Sequence, residues 1–229
     1  MPYLFPAPST PSVPIVGRAE RFAVHRIYCI GRNYAEHARE MGSLPEKGTP
    51  VFFMKPADAV VADGRNPRFP QATANLHHEV ELVVALSGGG CDIAVDDALA
   101  HVYGYSIGVD LTRRDLQAAA KAKGNPWDTA KGFDDSAPIA AIVPSDGRHP
   151  LTERIELSVN GVQRQSASIA DMLWPVAEII HELSHLYELR AGDLIYTGTP
   201  AGVGQLRPGD QVHCSLEGWS TLDFGFALR

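Results

Sequence analysis

Seventeen prolines and twenty-one glycines are spread along the 229-residue chain and leave few stretches long enough for an extended helix. Proline lacks a backbone donor, and glycine loses the most conformational freedom when a regular element forms. A chain cut so often builds short strands and tight turns rather than a helical bundle. The expected class is therefore α+β, a layered mixed β-sheet with a few short helices. At 45% hydrophobic and 21% charged residues, the composition is that of a globular protein with a sizeable core.

The breakers also mark the elements. MPYLFPAPSTPSVPIVG (1–17) holds five prolines and is expected to run extended over the surface, so residues 1–24 read as an N-terminal segment and 25–229 as a single domain. Strands are expected at 25–31, 51–55, 78–86 and 103–110, with 56–76 irregular between them. Helices are expected at 33–42, 95–102, 113–123 and 173–188. Thr112 and Asp115 have capping-box spacing ahead of the third helix, and Gly124 is placed to end it. Asn160-Gly161 within IELSVNGVQRQ (155–165) is a strong hairpin signal. The tail alternates turns with the strands LIYTGT, QVHCSLEG and TLDFGFAL.

Composition excludes several classes of partner. The net charge of −7, with no Lys/Arg block, argues against a nucleic-acid surface or an anionic membrane. No apolar run reaches 18 residues, and no basic segment leads into an apolar one at the N-terminus. Cys29, Cys91 and Cys214 show no CxxC spacing and are expected to be buried thiols of a reducing compartment. The expected location is cytoplasmic.

The chemistry begins at HHEVELVV (77–84). Side chains two apart on a strand point the same way, so Glu79 and Glu81 share a face. An exposed face would solvate both, whereas a buried one needs a positive charge between them. Carboxylate oxygens favour a hard divalent cation. Asp110, which ends SIGVD just before a helix, is the candidate third ligand. His37 and Glu40 lie three apart on a short helix and share a face, the arrangement of a carboxylate-oriented general base. Lys131, in DTAKGF, could stabilise an enolate or oxyanion.

Residues 181–185, HELSH, match the HExxH zinc signature, in which His181 and His185 bind zinc and Glu182 acts as base. The apolar stripe of this helix is Val176, Ile179, Ile180, Leu183, Leu186 and Tyr187. His181, Glu182 and His185 fall opposite it, on a face expected to be solvated. A zinc protease is thus the rival enzyme, and a metal-braced binding module the non-enzymatic alternative.

GRNYAEHARE, FFMKPADAVV, HHEVELVVAL, GYSIGVDLTRRDLQ, GNPWDTAKGFDDSAPI, VNGVQRQ and LIYTGTPAGVG follow one another in an order and spacing that resemble the fumarylacetoacetate hydrolase family. The proline-rich opening and DLTRRDLQAAAKAKGNPWDTAKGFD look most like the short bacterial fumarylpyruvate hydrolases of gentisate breakdown. The resemblance implies the family fold, usually dimeric. It also implies one divalent cation, Mg2+ or Mn2+ (with Ca2+ able to stand in), on Glu79, Glu81 and Asp110. His37 and Glu40 match the water-activating pair, on a segment that acts as a lid, and Lys131 matches the lysine near the metal. Arg114, Gln117 and Thr199 match positions that contact substrate, Arg114 being the first candidate for a distal carboxylate. Lys55 matches a further family lysine. The implied reaction is hydrolysis of a 2,4-dioxo acid such as fumarylpyruvate. Oxaloacetate decarboxylation or dioxo-acid isomerisation are the alternatives on the same scaffold.

Overall fold

The computed structural model describes residues 3–42, 44 and 46–226. A six-stranded mixed sheet runs in the order Val143–Pro144, Val102–Val109, Val80–Leu86, Asp193–Tyr196, Arg26–Gly31, Val51–Lys55. All its pairings are antiparallel except that of Asp193–Tyr196 with Arg26–Gly31. An antiparallel four-stranded sheet, Val162–Ser168, Arg154–Val159, Gln211–Leu216 and Ser220–Gly225, forms a second layer. The α+β class with layered mixed sheet is thus the observed architecture.

Val80–Leu86 is buried along its whole length. One face, with Leu82 and Val84, joins the larger core that includes Ile107, Leu157, Ile180 and Leu183. The other, with Val83 and Ala85, joins a smaller core with Ile27, Cys29 and Tyr196. Glu79 and Glu81 follow the alternation of this second face.

The strand expected over 78–86 is broken at Glu79 into Leu76–His78 and Val80–Leu86. The break has a structural reason. A three-stranded sheet, Gly204–Leu206, Leu76–His78 and Thr112–Arg113, takes its strands from the same three chain segments that form the middle of the large sheet. The three segments change sheets at Glu79, at Asp110 and at the loop following Tyr196. The Asp110 amide donates to the Glu79 carbonyl at 2.8 Å, which keeps the first two crossings in register. Side chains at such a corner leave the ladder and point into the space between the sheets.

Other expectations shift in detail. Thr112 does not cap the helix Arg114–Lys123, whose N-cap Arg113 has no side-chain cap. Its hydroxyl instead donates to the Asp110 carbonyl at 3.1 Å, and Asp115 accepts from Thr73 and the Ala74 amide. Gly124 does end that helix, in the left-handed conformation. Asn160 and Gly161 both have positive φ at the hairpin turn, as a type I′ turn requires. The proline-rich start is not wholly a surface strand. Ser12–Pro14 pairs with Arg21–Ala23, and Val13 is fully buried in the smaller core. A 3-10 turn at Ala57–Ala59 and the strand Val60–Val61 interrupt the irregular 56–76 segment. Cys29 and Cys214 are buried as expected, whereas Cys91 is exposed. The end of TLDFGFAL, residues 227 and 228, lies outside the described residues, as do residues 43 and 45 of the loop after the first helix.

Candidate active site and metal centre

The sheet corner brings three acids together. Glu79, Glu81 and Asp110 are buried, and each offers an oxygen within 4.8 Å of those of the others. Two oxygens bound to one hard cation at about 2.1–2.4 Å lie no more than about 4.8 Å apart, so one ion can reach all three. An all-oxygen donor set suits such a cation rather than zinc.

Buried cations brace two of the acids. Lys131, at the end of the short helix Asp128–Lys131, donates from Nζ to Glu79 Oε2 (2.6 Å), Asp110 Oδ2 (2.5 Å) and Thr112 Oγ1 (2.7 Å). Arg114 pairs with Glu79, and its guanidinium also donates to Gln117 Oε1 at 2.6 Å. Lys55 Nζ lies 2.8 Å from Asp110 Oδ1, yet no donor is aimed along a hydrogen bond at that oxygen. Among the described residues no side-chain cation pairs with Glu81; its Oε2 accepts from the Gly198 amide at 2.8 Å.

The electrostatics follow from this placement. Burial pushes the Glu79 carboxyl up, but Lys131, Arg114 and His37 together outweigh it and hold Glu79 well below the usual carboxylate range. Glu81 goes the other way. Burial, then the charges of Asp110 and Glu79, push it well above that range. Lys131 is depressed by burial but raised overall by Asp110 and Glu79, so it stays an ammonium. The orphaned Asp110 oxygen and the uncompensated Glu81 are the features a divalent cation would satisfy, and the residues present fit one.

The loop Thr197–Pro200 closes the site. Gly198 has φ +93, and a Cβ there would sit 2.6 Å from that of Asn33. Only glycine brings this amide to Glu81. Asn33 ties the loop to the first helix, donating to the Thr197 and Trp174 carbonyls and accepting from the Trp174 amide. On that helix, Ala35–Glu40, His37 is buried and its Nδ1 lies 3.1 Å from Glu40 Oε2. Glu40 Oε1 in turn accepts from the Gly202 amide at 3.1 Å. With Nδ1–H donated to Glu40, Nε2 is the basic nitrogen. His37, Thr199, Gln117, Arg114 and Lys131 line one pocket with the three acids, about 400 Å3 including its mouth.

A profile for the fumarylacetoacetate (FAA) hydrolase C-terminal domain matches residues 26–226 of the chain. The chain belongs to the fumarylacetoacetate hydrolase family. Within that family it superimposes on the crystal structure of fumarylpyruvate hydrolase from Pseudomonas aeruginosa in complex with Mn2+ and pyruvate. The TM-score is 0.95 at 46% identity, with all of both chains covered. It is 39% identical to a mitochondrial oxaloacetate decarboxylase of Dictyostelium discoideum over 209 residues, 89% of this chain and 94% of that one. It is also 39% identical to an oxaloacetate tautomerase of Escherichia coli over 203 residues, covering 87% and 91% respectively.

All ten site residues expected from the sequence of this family member gather around the corner, nine in the pocket wall or on its acids and Glu40 behind His37. Sequence reasoning missed Gln165. This buried glutamine accepts from the Val80 amide and donates to Thr199 Oγ1 and the Pro200 carbonyl, joining the strand and the loop. Nothing local separates it from the exposed Gln163 two residues earlier on the same strand. His77 and His78 do not join the acids: they bond Asn75 and Gln165.

The HELSH residues lie elsewhere, on the helix Val176–Leu186. His181 Nδ1 bonds the Ile93 carbonyl and His185 Nδ1 the His181 carbonyl. No third ligand joins them among the described residues. The buried stripe stops at Leu183 and Ser184; Leu186 and Tyr187, expected within it, are exposed. The double substitution His181→Ala, His185→Ala is expected to leave bound metal and turnover near wild type. Loss of metal in that protein, measured by elemental analysis, would revive the zinc reading.

Proposed function

We propose that this protein is a metal-dependent hydrolase that cleaves the C3–C4 bond of a 2,4-dioxo acid. Fumarylpyruvate is the substrate proposed, giving fumarate and pyruvate in gentisate-type aromatic catabolism, with the protein acting as a cytoplasmic homodimer. The observation that carries this reading is the buried His37, paired through Nδ1 with Glu40 and sharing one pocket with three acids suited to a divalent cation. Hydrolysis needs an activated water, which a carboxylate-oriented histidine base supplies, whereas decarboxylation needs none and tautomerisation asks of such a base only a proton transfer at C3.

Glu79, Glu81 and Asp110 would hold the cation, proposed as Mg2+ or Mn2+. When bound, it supplies Lewis-acid polarisation to a 2-oxo acid. Lys55, Lys131 and Arg114 already surround these three carboxylates, and a bound divalent cation would add the positive charge that an anionic 2-oxo acid head needs.

The protein's own groups then divide the work. His37 Nε2 takes a proton from water while Glu40 holds the imidazolium through Nδ1. Hydroxide adds to the C4 carbonyl. The C3–C4 bond breaks, its electron pair going to C3 and on into the pyruvate enolate. The Lys131 ammonium stabilises that negative charge. Return of the His37 proton to C3 gives pyruvate, and the acyl fragment leaves as a carboxylic acid. Arg114, Gln117 and Thr199 orient the dioxo head, and Lys55 holds Asp110 in place.

The two oxaloacetate relatives favour a second reading, decarboxylation or tautomerisation on the same centre. Specificity constants measured over a panel of acylpyruvates with oxaloacetate alongside separate the two. Hydrolysis predicts cleavage of the acylpyruvates well ahead of oxaloacetate; the reverse ranking transfers the assignment to the second reading.

A further inference from the structure

The pocket has two further cations beside those that brace the acids. Arg32 and Lys121 line it beside Trp127. Among the described residues, neither has an acidic partner, unlike Arg114, Lys131 and Lys55. Lys121 is half-buried, with Nζ 5.0 Å from the centre of the Trp127 ring. It shares a face of the helix Arg114–Lys123 with Arg114 and Gln117, since spacings of three and four repeat on one side. Arg32 directly follows the strand Arg26–Gly31 with φ +61, a backbone that side-chain-bearing residues seldom adopt and that collects at functional sites. Burial, then the charges of Arg114 and Arg32, outweigh the pull of Glu79 and lower the pKa of Lys121. Arg32, exposed, and Lys121, half-buried, set two cations in the wall of one pocket, an arrangement that suits an anion.

We propose that Arg32 and Lys121, backed by Trp127, form the subsite for the terminal carboxylate of a dicarboxylic dioxo acid. This rests on the hydrolase reading and names its substrate class: acids whose second carboxylate lies several bonds beyond the reacting carbonyl. It moves the role of distal anchor from Arg114, whose guanidinium is committed to Glu79 and Gln117, to the next turn of the same helix face. Oxaloacetate carries its second carboxylate at C4, three carbons nearer the 2-oxo acid end than that of fumarylpyruvate. The planar Trp127 face suits a flat, conjugated linker between the two ends.

The test compares two ligands that cannot be cleaved, because neither has a C4 carbonyl. 2-Oxoheptanedioate has the chain length of fumarylpyruvate and both carboxylates; 2-oxoheptanoate lacks the terminal one. Their affinities are measured by calorimetry on the Mn2+-loaded protein. The wild type is expected to favour the diacid about tenfold or more, the usual scale for charge-assisted hydrogen bonds. Lys121→Met keeps the stem on Trp127, and Arg32→Asn tolerates the left-handed backbone. Each is expected to remove most of the preference while leaving 2-oxoheptanoate affinity unchanged. Equal affinities in the wild type, a preference that survives both substitutions, or equal weakening of both ligands would overturn the subsite. A turnover arm follows fumarylpyruvate against acetylpyruvate in the same proteins. If neither is cleaved by the wild type, the hydrolase reading falls while the binding ratio still decides the subsite.

Discussion

Replacing Glu81 with alanine is expected to lower turnover roughly 10³-fold, the scale of losing several kcal/mol of Lewis-acid stabilisation, and to abolish stoichiometric metal binding. The reason for choosing Glu81 is electrostatic. Lys131 and Arg114 lean on Glu79, and Lys131 and Lys55 on Asp110. Truncating Asp110 would strand two buried cations at a cost of about 3–5 kcal/mol, confusing a metal defect with a folding defect. Among the described residues Glu81 pairs with no cation, and it accepts from the Gly198 amide. Its removal also takes away a carboxyl whose charge is disfavoured by burial first and by Asp110 and Glu79 second. Glu81→Ala should therefore unfold thermally near the wild-type temperature while failing to retain Mg2+ or Mn2+. Wild-type activity in a metal-stripped Glu81→Ala protein would end the metal-centre account.

The second large effect is at His37. His37→Ala is expected to cut kcat by about 10²-fold or more, the usual contribution of a general base, with metal affinity unchanged. The metal ligands stand on the sheet corner, whereas His37 stands on the separate helix Ala35–Glu40, so the two functions separate. Metal titration of the variant alongside its steady-state kinetics checks this. An unchanged kcat would remove His37 from the mechanism; lost metal affinity would make it a structural support instead.

Much of this site was legible in the sequence because its signals are local. The two-residue spacing of Glu79 and Glu81, the three-residue spacing of His37 and Glu40, and Asp110 at a strand end are each set by the geometry of one element. What was not legible depends on elements meeting. The sheet change at Glu79 comes from pairing with Gly204–Leu206 and Thr112–Arg113, far away in sequence. Thr112 looked like a helix cap because the spacing to Asp115 fits one; the tertiary structure spends its hydroxyl on Asp110 and Lys131 instead. Lys55 and Gln165 carry no local mark of being buried. Lys121 did carry one, continuing the Arg114–Gln117 helix face by a turn, but its lack of an acidic partner shows only in three dimensions. HELSH shows the converse: a complete local motif whose histidines meet carbonyl oxygens and, among the described residues, no third ligand.

Product balance tests the central claim most directly. With Mg2+ or Mn2+ present, each fumarylpyruvate consumed by the wild type is expected to yield one fumarate and one pyruvate, with chelator stopping both. Unchanged fumarylpyruvate beside rapid loss or tautomerisation of oxaloacetate would contradict it.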